Sequence, residues 1–208
     1  MFHVLNRGVR RMRLFRESRD YATFLEIAGR AQQKTPIRCL AYCLMPNHFH
    51  MVLWPHEDGD LSRYMFWLLT THARHWHFGQ GTRGTGHVYQ DRFKSFPVYA
   101  DEHFLRLCRY VERNALRAGL VSRAEDWAWS SLSQRLGDRG PLELSDWPVT
   151  RPAEWMALVN EDAPHETVEI RKALLGGLPF GPESWRDTIA PQLGLHTATM
   201  PVGRPLKR

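Results

Sequence analysis

The order of strand-like and helix-like segments predicts an α+β fold of ferredoxin-like type, an antiparallel sheet with helices on one face, followed by a C-terminal helical extension. Three observations carry this. Two apolar runs flank the turn pair Pro46-Asn47, as in an antiparallel hairpin. Helix-period stripes begin near Asp20, Asp60 and Asp101, residues suited to helix N-termini. The whole reads βαββαβα through about residue 118, and the chain changes character after Asp126–Ser131.

Phe2–Leu5 is a short apolar strand, and the basic segment Arg7–Arg16 follows it. The helix from Asp20 places Phe24, Leu25, Ile27 and Ala28 on one side, and Pro36 closes the linker after it. Ile37–Leu44 and Phe49–Trp54 form the expected hairpin. A second helix runs from Asp60 to about His77 with Leu61, Met65, Leu68 and Leu69 as its core stripe. The loop 79–86 has four glycines and two threonines, and a strand is expected over Val88–Phe96. The third helix, Asp101 to about Ala118, stops at Gly119. Its core stripe is Phe104, Leu107, Cys108, Val111 and Ala115. Residues 1–136 are thus expected to form one domain. Residues 137–208 form an extension: a Pro- and Gly-rich stretch to 152, helical periods around Trp155, Leu158, Ile170, Leu174, Trp185 and Leu193, and a basic, disordered tail from Gly203.

Among 208 residues, 28 Lys and Arg face 22 Asp and Glu, and arginine dominates the excess. Guanidinium groups suit bidentate phosphate contacts and stacking on bases, so a nucleic acid is favoured over a small neutral ligand. Cys39, Cys43 and Cys108 form no CxxC and no even framework, and read as buried thiols of a reducing compartment. The N-terminus is no signal peptide and no run approaches the length of a membrane span. A soluble, cytoplasmic protein is expected, and one bound to nucleic acid there would sit with the bacterial nucleoid.

Chemistry is concentrated in two places. His48 and His50 lie two apart in a predicted strand, so both imidazoles project from one face while Phe49, Met51 and Leu53 face a core. Such a pair is half of a divalent-metal site or, equally, a hydrogen-bonded pair at a sheet edge. Eleven histidines make a chance HxH cheap, and His75-Trp76-His77 is the internal control: on a helix those two side chains diverge by about 200°. The third helix carries Arg106, Tyr110, Arg113, Asn114 and Arg117 beside its core stripe. Tyr110 and Asn114 are one turn apart and point together. Three arginines around a tyrosine would attract phosphate and favour the phenolate. The plain alternative is a tyrosine that caps the core with its hydroxyl in water.

Met45-Pro46-Asn47-His48-Phe49-His50, Tyr89-Gln90-Asp91-Arg92-Phe93-Lys94-Ser95 and the run Tyr110 to Val121 closely resemble the REP-associated tyrosine transposases, members of the single-tyrosine HUH endonuclease superfamily. Phe2–Gly8 and Asp126–Ser131 also resemble that family, so the likeness spans about residues 1–132 in the family's order. The resemblance implies metal ligation by His48, His50 and Asn114, with Mg²⁺ or Mn²⁺ as cofactor and Tyr110 as nucleophile. It implies cleavage and rejoining of single-stranded DNA beside hairpins, at repetitive extragenic palindromes, through a 5′-phosphotyrosine intermediate.

Arg92 and Lys94 are expected on one strand face as backbone contacts. Arg7, Arg10, Arg11 and Arg13 are expected to grasp a hairpin, with Arg106, Arg113 and Arg117 also on DNA. For each, a solvated charge is the competing reading. The chain would act as monomer or homodimer, without a membrane. Two departures from the family pattern stand out. Asn114 is followed by Ala115 rather than proline, which should leave the helix more continuous. The chain also begins with less sequence before His3 than its relatives show, which implies an incomplete first strand or start. A domesticated, non-catalytic DNA- or RNA-binding regulator is the rival reading. A zinc hydrolase ranks lower, since Glu57 and Asp58, the nearest acids after the pair, lie beyond Pro55 in a turn.

Overall fold

The computed structural model describes residues 1–137 and 140–195. Four strands, β1 (Phe2–Arg7), β2 (Ile37–Met45), β3 (His48–Pro55) and β4 (Lys94–Pro97), form one antiparallel sheet in the order β2-β3-β1-β4. The helices are α1 (Ser18–Lys34), α2 (Asp60–Gln80), α3 (Glu102–Glu112), α4 (Asn114–Arg117), α5 (Ser131–Leu136), α6 (Trp155–Asn160), α7 (Pro164–Gly176) and α8 (Glu183–Gln192). Among the described residues no helix is long and apolar enough to cross a membrane. The basic tail from Gly203 lies outside the described residues.

The α+β class and the antiparallel sheet are as the sequence predicts, but the helices cover both faces rather than one. Alternation along the strands explains why. Val4, Tyr42, Leu44, Phe49, Met51 and Leu53 pack with α1 and α2 in one apolar cluster. The intervening residues Ala41, Cys43, Met45 and Val52 join Phe96, Phe104, Leu107 and Val111 in a second. Both sides of the strands are therefore apolar enough to need a cover. The second cluster continues into Trp155, Val159, Ile170, Ala173 and Phe180, so residues beyond 137 share a core with α3. The outer edge of β2 is closed by bridges from Cys39 to Leu144 and Cys43 to Ser130.

Three local expectations are corrected. The strand over Val88–Phe96 is only Lys94–Pro97; Tyr89 makes one isolated bridge to Gly8, and Arg92 is outside the strand. The helix expected over Asp101–Ala118 is divided at Arg113 into α3 and α4, although Arg113 keeps right-handed dihedrals (φ −80°, ψ −4°), so it is not one uninterrupted element even without a proline after Asn114. Asp60 occupies the first helical position after Gly59 rather than the cap, and holds the turn by accepting from Glu57 N–H at 2.8 Å. Asp101 caps α3 as expected, accepting from His103 N–H at 2.8 Å.

Candidate active site on the two-histidine strand

The register of β3 puts His48 and His50 on the face that α3 covers. Directly paired residues share a face, so His48 sits beside Arg7 and Met45, and His50 beside Leu5 and Cys43. The imidazole centroids are 5.0 Å apart with planes at 82°. Tyr110 on α3 lies edge-on to His50 at 5.7 Å. The structure thus brings His48, His50 and Tyr110 together from segments 60 residues apart.

Each histidine is held through Nδ1. His48 Nδ1 lies 2.6 Å from Asn47 Oδ1, an acceptor, so the proton is on Nδ1 and Nε2 carries a free lone pair. His50 Nδ1 is 2.9 Å from Nε2 of the fully buried His3. Burial, with the Arg7 and Arg117 charges nearby, holds His48 down to about 4. Burial, with its histidine neighbours and the same arginines, drives His50 well below the ordinary range, and burial alone takes His3 to about 3. A neutral imidazole that donates from Nδ1, as His48 does, is the form that ligates a metal through Nε2; His50 takes that form when His3 accepts its Nδ1 proton, and the pair then fits a divalent cation.

Asn114 is buried, and its amide nitrogen donates to the carbonyls of Tyr110 (2.9 Å) and Val111 (3.3 Å). This pinning bridges the break in the helix. Its Oδ1 accepts from Arg117 at 2.5 Å. The Arg117 guanidinium lies 4.4 Å over the Tyr110 ring and reaches its hydroxyl at 3.4 Å. Asn114 Oδ1 keeps a second lone pair, but an ion held there would stand beside the Arg117 charge unless that side chain turns away. Among the described residues no group of three or more His, Cys, Asp or Glu side chains is arranged to hold a metal.

The candidate phosphate contacts separate into groups. Arg117 alone of the three helix arginines touches Tyr110. Arg106 pairs with Glu169 and Glu166, and Arg113 with Asp162 at 3.3 Å, all beyond residue 137. Arg109 joins the same acidic strip through Glu166 at 3.5 Å. Arg7, Arg92 and Lys94 line one cleft of about 180 Å³ beside Leu174 and Leu175 of α7.

Arg10, Arg11 and Arg13 are exposed on the loop after β1. That loop is fastened to the turn before His48: Gly8 N–H donates to Asn47 O, Leu14 N–H to Pro46 O, and Asn47 Nδ2 to Arg11 O. Arg10 and Arg11 adopt left-handed φ of 51° and 61°, a strained conformation for side-chain-bearing residues. Gly8 is required there, since a Cβ would meet Met12 O at 2.5 Å.

The control histidines His75 and His77, and Tyr89 and Tyr99, have other partners or face solvent. His77 bonds Thr82 Oγ1 and Gly86 O, and His75 faces solvent. The Tyr89 hydroxyl is 2.7 Å from His72 Nδ1, and Tyr99 packs on Trp185. Two site residues were not singled out from sequence. His3 reaches His50 diagonally across the β1–β3 pairing, which only the register reveals. Glu112, fully buried, accepts from Ser131 Oγ (2.6 Å) and Trp155 Nε1 (2.8 Å), tying α3 to α5 and α6.

The sheet thus carries two histidines on the face covered by the tyrosine-bearing helix. The chain belongs to the IS200-like transposase family, whose model matches residues 1–114 and so includes His48, His50, Tyr110 and Asn114. Its fold is also similar to a solved structure described as the REP-associated tyrosine transposase bound to a REP hairpin. That comparison has a TM-score of 0.54 at 18% identity and covers 73% of this chain and 87% of the other. No curated protein matches the chain.

Proposed function

We propose that the protein is a metal-dependent endonuclease and strand transferase for single-stranded DNA, acting beside hairpins of repetitive extragenic palindromes through a 5′-phosphotyrosine intermediate. The convergence of His48, His50 and Tyr110 on one sheet face, within the segment matched by the transposase family, carries this reading. The hairpin substrate rests on the similar structure, which was solved with a REP hairpin.

His48 and His50 would hold Mg²⁺ or Mn²⁺ through Nε2, joined by Asn114 Oδ1 once Arg117 turns away. Such an ion, when bound, polarises the scissile phosphate and stabilises the departing oxygen. Tyr110 Oη attacks phosphorus in line and the bond to O3′ breaks. The tyrosine proton passes to solvent and the leaving oxygen gains one, giving a free 3′-OH and a tyrosine-linked 5′ end. Attack by another 3′-OH reverses the step and rejoins strands without ATP. Released from Asn114, Arg117 would pair with the phosphate on Tyr110, whose hydroxyl it already reaches at 3.4 Å. Arg7, Arg92 and Lys94 would hold the flanking backbone in their cleft. Arg10, Arg11 and Arg13 would grip the hairpin.

A second reading, a non-catalytic regulator that binds hairpins, is favoured by one observation: Arg117 occupies the Asn114 oxygen. A suicide oligonucleotide carrying the hairpin and a scissile junction separates the two. A covalent adduct with Mg²⁺ or Mn²⁺, lost in Tyr110→Phe, is the result expected. Hairpin binding with no adduct under any divalent ion would leave the regulator.

A further inference from the structure

We infer that His3 is a positioning residue for the metal site: it accepts the Nδ1 proton of His50 and thereby frees His50 Nε2 to ligate. This rests on the metal reading above and adds a residue to it. His3 is fully buried, and its Nε2 lies 2.9 Å from His50 Nδ1. The two rings stack at 5.1 Å with planes 21° apart, and Phe96 closes the other side at 4.9 Å. The ring therefore has little room to reorient.

The proton count is restrictive. Two neutral imidazoles carry two protons on four nitrogens, and one proton lies between His3 Nε2 and His50 Nδ1. If His50 donates it, His50 Nε2 is bare and His3 must be protonated at Nδ1. If His3 donates it, His50 carries its proton on Nε2 and cannot ligate there. His3 Nδ1 is buried without a hydrogen-bond partner. A buried N–H without an acceptor is worse tolerated than a bare lone pair. The metal-free pair is thus biased toward the second arrangement, and loading shifts both protons: His50 from Nε2 to Nδ1, His3 from Nε2 to Nδ1. No proton is gained or lost by the pair.

Carboxylates and carbonyls usually hold the far nitrogen of a ligating histidine, and removing such a partner lowers metal affinity about 10–100-fold. Here an imidazole performs that role and can itself change tautomer. Its sequence position explains the reach. His3 pairs directly with Val52, so it is the diagonal neighbour of His50 on the same face.

The test compares His3→Gln, whose side-chain oxygen can stand at the Nε2 position, with His3→Met, similar in shape but without a comparable acceptor. Mn²⁺ binding to the full chain is followed by electron paramagnetic resonance, and hairpin binding is measured in parallel as a check of folding. His3→Met should bind Mn²⁺ about 10–100-fold more weakly than wild type, and His3→Gln should recover most of that loss, with hairpin affinity unchanged. Nitrogen-15 spectra of wild type should show the His50 proton on Nδ1 after Mg²⁺ is added. Equal Mn²⁺ affinity in the Gln and Met variants, with wild type binding tightly, overturns the role of His3 alone. Failure of wild type itself to bind Mn²⁺ overturns the metal reading and this inference with it.

Discussion

The two faces of the sheet are made from alternate residues of the same strands, yet they do different things. On the α1/α2 face, Val4, Leu44, Phe49, Met51 and Leu53 are sealed under aromatic side chains such as Phe24, 5.0 Å from Phe49. On the α3 face, the residues one step along are His3, His48 and His50, with Tyr110 above them. The apolar face fixes the register, because a slip of one residue would turn Phe49 and Met51 outward. The histidines cannot fix it themselves, since their burial costs rather than contributes stability. A rigid core on one side thus holds a costly polar pair in place on the other.

Tyr110→Phe should give the largest effect and the cleanest separation of the faces. Adduct formation should fall to background while hairpin affinity and melting temperature stay near wild type. An undiminished adduct would remove Tyr110 from the mechanism and direct attention to Tyr99, since the Tyr89 hydroxyl is bonded to His72. Phe49→Ala, one residue from either histidine, should do the reverse. Cavity formation there should cost about 3–5 kcal/mol of stability, read by urea denaturation, with cleavage retained in the fraction that remains folded. A loss below about 1 kcal/mol would mean that the register is held elsewhere, by the β1–β4 pairing for instance.

Alternation made the hairpin and the shared face of His48 and His50 legible in the sequence, and helix periodicity did the same for Tyr110 and Asn114. Interactions set by distant partners were not legible. Arg106 and Arg113 look like free phosphate ligands on a helix, but Glu166, Glu169 and Asp162, some 50 to 60 residues later, pair with them. The division at Arg113 is spanned by the Asn114 amide, which turns back on Tyr110 and Val111, a local hydrogen bond that helix periodicity does not announce. Residues 88–93 have strand-like composition, but beyond the bridge of Tyr89 to Gly8 and the Gln90 N–H bond to Arg7 O, only Lys94–Pro97 pairs in register with β1. Composition cannot say where a neighbouring strand ends.

Arg117 sharpens the contrast on the catalytic face. Its guanidinium holds the oxygen that a cation would need, so Arg117→Ala should raise Mn²⁺ affinity by about tenfold while slowing adduct formation. Unchanged or weaker Mn²⁺ binding would mean that Arg117 does not compete with the ion for the Asn114 oxygen.

The smallest effect tests whether a buried histidine on the apolar side behaves as a structural group. His72 on α2 is buried near Phe15 and Phe24, and its Nδ1 lies 2.7 Å from the Tyr89 hydroxyl. Burial lowers its pKa to about 4, with Asp20 opposing and His75 reinforcing the shift. Between about pH 4 and 6.5 the unfolded chain holds a proton on this residue that the native state does not. Stability must then rise with pH across that window and be lost as the pH falls through it, by at most about 1.4 kcal/mol per pH unit for one group. His3, His48 and His50 act in the same direction. Glu112 acts in the opposite one, since burial raises its pKa and the native state then holds the extra proton. The wild-type slope is a sum of these, so the informative quantity is a difference. His72→Gln keeps an acceptor for Tyr89 and removes the titrating group. Its urea-derived stability should rise less steeply between pH 4.5 and 6 than that of wild type, with Mn²⁺ binding untouched. Parallel slopes would mean that His72 is protonated within the fold, and that the apolar face tolerates a charge its packing should exclude.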